Sequence, residues 1–330
     1  MSPRSHAKAE ARSARAQLGP LAFEPLAFEP LTLEHRELVD GYVHRFPPQI
    51  SEHTFANLFV WGDKRPISVA RWQGALLIAA EKDGERSLLG PPLGDFNLDG
   101  LLAQMTEAGI GGFARIPASM ARAVEAVGLN TVEDPDNADY VYLRRDLAEL
   151  KGRAYHRQKN LVNKCLGAFD CQWLEITPAL LDEVADLQGR WCAAKDCQED
   201  PAICAENSAI RLALQHYEQL DMVGGAIRIG GRLEAYTLGG RLAPDTAVIH
   251  FEKAMGGFPG LYQVVNQWFC ERALAGFEFV NREQDMGIPG LRKAKMSYRP
   301  HHMVTKYAAA LEPAAVGQLV GADAEGRCRE

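Results

Sequence analysis

The polar–apolar pattern first alternates and then cycles, and it does so twice along the chain. "PISVARW" and "ALLIAAE" read as strands joined at the Gln73-Gly74 step, and Asp83-Gly84 marks a hairpin into "RSLLG". The loop "PPLGD" follows, then a helix near residues 98–108, strand "GFARI", a helix around residues 117–127 and strand "ADYVYLR". Three helices come next, near residues 150–168, from Thr177-Pro178 to about Lys195, and from roughly Ser208 to Leu220. Thr177 is a good N-cap, and Pro178 occupies the first helical position, where its missing N–H costs nothing. The sheet pattern then returns as "VGGAIRI", a Gly230-Gly231 turn, "LEAYTLG" and "TAVIHFEKA". The loop "GGFPG", a helix from about Leu261 to Ala275, strand "FEFVN", a charged segment and strand "HMVTKYAAA" complete the second pass. The two passes share their order of elements but no residue-level identity.

That order resembles the GNAT-type acyltransferase fold. It implies an α+β (mixed α/β) protein of two tandem GNAT-like domains, each a mostly antiparallel sheet flanked by helices. The expected divisions are an N-terminal domain over residues 26–148 and a C-terminal domain over 149–311, with tails at 1–25 and 312–330. In that fold the loop and helix after the third strand cradle a phosphorylated acyl carrier. A helix N-terminus offers unpaired N–H groups to an anion, and glycine lets the backbone come close. Gly257 and Gly260 of "GGFPG" fit that role, although a plain turn has the same composition. The period-five run "PLAFEPLAFEPLTLE" at residues 20–34 is too short for a solenoid unit and reads as a local duplication.

Composition narrows the class. The 330 residues are 47% hydrophobic and 24% charged, values of a soluble globular protein of about two domains. A net charge of -7 argues against bulk, nonspecific nucleic-acid binding but leaves room for local basic patches. Seven cysteines, an odd number without C-x-x-C spacing, read as reduced thiols. Cys192, Cys197 and Cys204 lack an accompanying tight Cys/His pair, so no metal site is expected. No apolar run approaches the ~18 residues of a membrane span, and the basic first 19 residues lack the apolar core of a signal peptide. The expected location is cytoplasmic. P-loop, G-x-S-x-G and H-E-x-x-H motifs are absent.

Candidate chemistry gathers in three segments. In "TAVIHFEKA", alternation puts Ala247, Ile249 and Phe251 on one face and Val248, His250 and Glu252 on the other. His250 and Glu252 should therefore point the same way, just before the glycine loop. In "NREQDMGIPGLRKAKMSYRP", residues 281–300, Asn281, Arg282, Glu283 and Asp285 fall at the carboxyl end of a strand, where open sheets bind ligands. Beyond a turn of Gly287, Pro289 and Gly290, a short helix would carry Arg292, Lys293 and Lys295 within reach of an anion. The competing reading is a surface ion-pair network of little energetic weight. The third segment, "KGRAYHRQKNLVNK" at 151–164, holds no acid. Its Arg153, Arg157, Asn160 and Lys164 make an outer helical face, either merely solvated or meeting phosphates, whereas His156, Lys159 and Asn163 lie nearer the apolar stripe and a cleft.

These segments, with "SEHTFANLFVW", "AENSAIRLAL" and "GLYQVVN", resemble a bacterial family related to the C-terminal catalytic domain of phosphatidylglycerol lysyltransferases. The resemblance runs from about residue 28 to residue 310. It implies an acyl- or aminoacyltransferase with no tightly bound cofactor, using aminoacyl-tRNA or acyl-CoA as donor and a small-molecule, peptide or lipid head-group acceptor. The membrane flippase region of the full lipid-modifying enzymes has no counterpart in the sequence, which weighs against a lipid acceptor. The expected catalytic residues are Glu252, Arg282, Glu283, Asp285 and Lys295. Glu252 or Asp285 would hold the donor's α-amino group or act as base, Arg282 would steer a carbonyl, and Lys295 would support the oxyanion. The expected substrate-binding residues are His156, Lys159, His250, Gly257, Gly260, Tyr262, Asn266, Asn281 and Lys293. The rival from another class is a noncatalytic module that kept the fold.

Overall fold

A computed structural model describes residues 25–197 and 199–320. The basic N-terminal stretch, the start of the five-residue repeat and the end of the expected C-terminal tail lie outside the described residues.

The strands are β1 (Glu29–Pro30), β2 (Ile67–Trp72), β3 (Ala75–Lys82), β4 (Glu85–Leu89), β5 (Ile110–Pro117), β6 (Thr131–Glu133), β7 (Asp139–Leu143), β8 (Gln172–Glu175), β9 (Val223–Ile229), β10 (Arg232–Arg241), β11 (Thr246–Ala254), β12 (Phe279–Asn281), β13 (His302–Val304) and β14 (Lys306–Ala310). The helices are α1 (Arg36–Arg45), α2 (Phe55–Val60), α3 (Leu98–Glu107), α4 (Ala118–Ala126), α5 (Arg144–Glu149), α6 (His156–Ala168), α7 (Leu181–Ala193), α8 (Pro201–Gln215), α9 (Leu261–Arg272) and α10 (Pro289–Met296). The architecture is the α+β class, with two seven-stranded sheets flanked by helices. Each sheet is mainly antiparallel with one parallel pair, β4–β5 in the first and β11–β12 in the second.

Local chemistry accounts for the hairpins. Gln73-Gly74, Asp83-Gly84 and Gly230-Gly231 all have positive φ at both positions, which matches the twist of the strands they join. Helix α8 starts at Pro201 rather than near Ser208, because Asp200 caps it by accepting from the Ala202 and Ile203 amides at 2.9 and 3.3 Å.

The sheet orders are β1-β2-β3-β4-β5-β14-β6 and β13-β7-β12-β11-β10-β9-β8. They show an exchange that the order of elements does not reveal. β7, read as the last strand of the first pass, lies between β12 and β13 of the second sheet. "HMVTKYAAA" splits at Thr305 into β13, which stays in the second sheet, and β14, which enters the first between β5 and β6. Alternation fixes which face of a strand is buried but not which strand lies beside it. One apolar core also crosses the junction, with Val39, Phe55 and Leu58 packed with Ile210, Leu214, Tyr236 and Phe251. Residues Pro313–Gln318 of the expected tail form a 3-10 helix. Cys192 and Cys197 are joined as a disulfide across the end of α7, in contrast to the reading of all cysteines as reduced.

Candidate functional site

A bulge in the second sheet creates the site. β10 and β11 pair Leu238 with Phe251 and then Gly239 with Ile249, so His250 is the extra residue. Alternation fails there. Ala247 and Ile249 lie in the core beneath α9, while Phe251 lies in the core that crosses the junction. His250 and Glu252 therefore do not share a face, contrary to the period-2 expectation. His250 faces the first half, its Nδ1 2.8 Å from Glu283 Oε1. Glu252 faces α9 and accepts from Asn266 Nδ2 at 2.9 Å.

The parallel pairing of β11 with β12 ends at Val248 and Asn281, while β11 continues over residues 249–254. Beyond Asn281 the chain diverges, with Glu283 and Met286 in the left-handed region at φ 55 and 53. A wedge of polar side chains lies between β11 and this loop. Arg282 donates to Glu252 Oε1 from Nη2 at 3.1 Å, and each side chain keeps 13% of its surface accessible. The guanidinium sits over the rings of Tyr298 and Tyr142, at 4.9 and 5.8 Å from their centroids. Burial opposes its charge, but the Glu252 carboxylate prevails and raises its pKa. Thr237 lies directly opposite Glu252 on β10.

Three buried polar atoms in this wedge have no hydrogen-bond partner among the described residues: Arg282 Nη1, Asn266 Oδ1 and Thr237 Oγ1. A buried polar group without a partner is costly, so three beside one largely buried ion pair point to a ligand with both donors and acceptors.

The other expected catalytic residues are engaged in holding the loop. Asp285 is 1% exposed and accepts from Arg292 Nε and Nη2 at 2.7 and 2.8 Å, from the Gly287 amide at 2.9 Å, and from the Tyr140 hydroxyl. Burial alone would raise its pKa, but these donors outweigh it and lower it. Lys295 Nζ donates to the carbonyl of Arg282 at 2.6 Å and to that of Gln284. Burial, then the nearby Arg282, lowers its pKa to about 8. Glu283 accepts from Asn57 Nδ2 of α2 at 3.1 Å.

The expected binding residues divide in the same way. Asn266 and Asn281 are fully buried, the first in the wedge, the second donating to Asp139 Oδ2 at 3.0 Å. Tyr262, in the first turn of α9, accepts from Trp191 Nε1 at 3.2 Å. Gly260 precedes α9 with φ 92, and a Cβ there would stand 2.2 Å from the Leu161 carbonyl, so packing on α6 demands this glycine. A Cβ on Gly257 would meet nothing. His156, Lys159 and Lys293 are exposed, outside the wedge's hydrogen-bonded set. The polar residue that α6 buries is Gln158 instead, which donates to the Ser297 carbonyl at 2.7 Å.

Sequence reasoning missed a buried ion cluster under the loop. Lys306 Nζ, on β14, donates to Glu52 at 2.9 and 2.7 Å and to Asp139 Oδ1 at 2.6 Å. Asp139 also accepts from the Ser51 amide at 2.8 Å, and Gln284 Nε2 reaches Glu52 at 2.8 Å. The available signal was a single charge inside each of two apolar strands, Asp139 in "ADYVYLR" and Lys306 in "HMVTKYAAA".

Among the described residues, no group of three His, Cys, Asp or Glu is placed to hold a metal ion, and no helix is long and apolar enough to cross a membrane. No curated protein matches the chain. Among solved structures, a conserved protein of unknown function from Bacteroides thetaiotaomicron is 28% identical, covering 87% of this chain and 100% of that one at a TM-score of 0.83. The C-terminal domain of a candidate lysylphosphatidylglycerol synthetase from Agrobacterium fabrum is 15% identical, covering 86% and 94% at a TM-score of 0.64. L-PGS from Bacillus licheniformis is 13% identical, covering 86% and 96% at a TM-score of 0.60. At such identities the last two show the fold alone. The family model described as phosphatidylglycerol lysyltransferase, C-terminal, matches residues 44–310, and the chain belongs to that family.

Proposed function

We propose that the chain is an aminoacyltransferase whose donor places its reacting carbonyl in the wedge between β11 and the 281–285 loop. The observation that carries this reading is the Glu252–Arg282 pair beside the three unpartnered atoms Arg282 Nη1, Asn266 Oδ1 and Thr237 Oγ1. A protonated α-amino group would be held by Glu252, Asn266 and Thr237, all acceptors. Arg282 Nη1 would donate to the carbonyl and stabilise the charge that develops on its oxygen. An acceptor amine or hydroxyl would attack the carbonyl carbon. A C–N or C–O bond forms, the donor's ester bond breaks, and the acceptor's proton ends on the departing oxygen. Positioning would replace a covalent nucleophile. Asp285, Glu283 and Lys295 act as positioning residues in this reading, because their polar atoms are spent on the loop. The donor's phosphates would meet the backbone near Gly257, the exposed Lys293 and the acid-free face of α6, including Lys159 and His156.

A specific observation favours a second reading. Glu252 and Asp285 are each already paired with an arginine, as a noncatalytic binding module would allow. One experiment separates the two. The purified chain is incubated with labelled aminoacyl-tRNAs and acyl-CoAs and a panel of amine and hydroxyl acceptors, and transferred label is counted. The first reading expects transfer from aminoacyl-tRNA that Glu252→Gln lowers by about 100-fold, the scale of losing one charged contact to the reacting group. Transfer from acyl-CoA alone would replace the donor class. Donor binding without transfer of label to any acceptor would establish the binding module.

A further inference from the structure

A second polar cavity lies on the other side of β10 and β11. Trp191 of α7 and Glu206 of α8 both meet Lys253, which points away from α9, whereas Glu252 points toward it. Between α7 and α8 lies a hollow of about 650 Å³ that is open to solvent on one side. That size suits a small organic ligand. Arg211 and Asn207, one turn apart on α8, line one side. Asp196 and Glu199, on the connection between α7 and α8, line another.

Arg211, Asp196 and Glu199 are exposed at the rim of this hollow. Arg211 makes no ion pair with Asp196, Glu199 or any other described carboxylate. Opposite charges that line one hollow without touching each other leave both free for a ligand that carries both signs. The polar floor is fixed in advance. Gln188 is 2% exposed, accepts from the Tyr236 hydroxyl at 2.6 Å and donates to Asn207 Oδ1 at 2.9 Å. Asn207 therefore has its oxygen committed, and its amide hydrogens remain available as donors. Ala185, Gly189 and Ala193, spaced 4 and 4 on α7, keep the opposite wall low. The Cys192–Cys197 disulfide ties the acidic connection back onto α7, with Cα atoms 5.1 Å apart.

We infer that this cavity is a second binding site, for a small zwitterion: an α-amino acid or a short peptide. The carboxylate meets Arg211 and the Asn207 amide, and the ammonium meets Asp196 and Glu199. The site is separate from the Glu252 wedge and does not depend on the transferase reading, because the two lie on opposite faces of the same strand pair.

The test is calorimetric titration of the full chain with glycine, then di- and tripeptides, then the same compounds with amidated or acetylated ends. Binding is expected only when both ends are charged, and the length series tells an amino acid from a peptide. Arg211→Met should weaken binding at least tenfold, whereas Glu252→Gln should leave it unchanged. Arg211→Lys keeps the charge and should restore part of the binding, a thermal melt of the Met variant checks that it is folded, and full binding by a folded Met variant would overturn the inference. Absence of binding by any zwitterion at millimolar concentration would overturn the inference. So would equal binding of the end-blocked compounds. Loss of binding in Glu252→Gln with retention in Arg211→Met would assign the ligand to the wedge and overturn it as well, while the wedge reading would survive.

Discussion

The two halves carry the same parallel seam, and only in the second does one strand run on past it, unpaired on that side. In the first half β4 ends where its pairing with β5 ends, and the Gly90 amide closes the seam by donating to the Ala114 carbonyl at 2.7 Å. Gly90 has φ 72, and a Cβ there would stand 2.4 Å from His53 Nε2, so the buried imidazole fills the place a ligand would need. Burial holds the His53 pKa down, which keeps that filler neutral. In the second half β11 runs on past its last pair with β12, and the place beside it is taken by the hydrogen-bonded Glu252, Arg282 and Asn266. One order of elements thus yields a sealed seam and one that is open in its backbone pairing. The sealed half serves as a brace: Asn57 and Glu52 reach across to Glu283 and Gln284.

The largest expected effect comes from cutting the brace. Lys306 is fully buried, and Lys306→Met leaves Glu52 and Asp139 without their shared cation. Breaking a buried ion cluster by removing one partner costs about 3–5 kcal/mol. Urea unfolding should show a fall of that order. A loss below about 1 kcal/mol would mean the halves are held by their shared apolar core alone.

The next effect tests the contrast between the seams. Arg282→Met removes the open wedge's unpartnered donor and should lower transfer by about 100-fold, or abolish donor binding if there is no transfer. His53→Ala, in the sealed seam, should cost stability but leave turnover per folded molecule within about twofold, since it touches no ligand in this reading. Similar losses of turnover in both variants would erase the distinction.

Much of this contrast was legible in the sequence, and the rest was hidden for identifiable reasons. The hairpin turns, the duplicated order of elements and the charged segment after "FEFVN" follow from local patterns. The bulge at His250 does not, because a single extra residue leaves an alternating strand looking regular, and it reverses which face Glu252 occupies. The exchange of β7 and β14 is equally silent. Asp285 and Lys295 looked catalytic by type and position, yet their partners, Arg292, Tyr140 and two backbone carbonyls, belong to the fold.

A smaller effect concerns Lys295. Its pKa is lowered to about 8 from 10.5 because burial penalises the ammonium, and then because Arg282 repels it. Between those values the unfolded chain binds more protons than the folded one, so this residue's contribution to stability rises with pH. Below about pH 8 both states are protonated, and the penalty is fully present. The stability of the wild type relative to Lys295→Met should therefore rise from about pH 8 to 10.5 and be flat below. A difference that falls over that window would mean the ammonium is stabilised in place by the two carbonyls.

The smallest change in stability is also the sharpest test of the open seam. Gly256 and Gly257 stand before α9, and a Cβ on either meets nothing within 4 Å. Nothing in the fold requires glycine there, in contrast to Gly260, whose Cβ would collide with the Leu161 carbonyl. Gly257→Ala should therefore change stability by less than about 0.5 kcal/mol, the range of an unconstrained surface substitution. If a donor's phosphates approach that backbone, the added methyl group keeps them away, and donor affinity should fall several-fold with turnover at saturation unchanged. Gly260→Ala should instead destabilise the whole chain. Unaltered affinity in Gly257→Ala would remove the loop from the donor site, and the wedge would then have to hold the reacting end of a donor whose phosphates lie elsewhere, with the acid-free face of α6 as the remaining candidate.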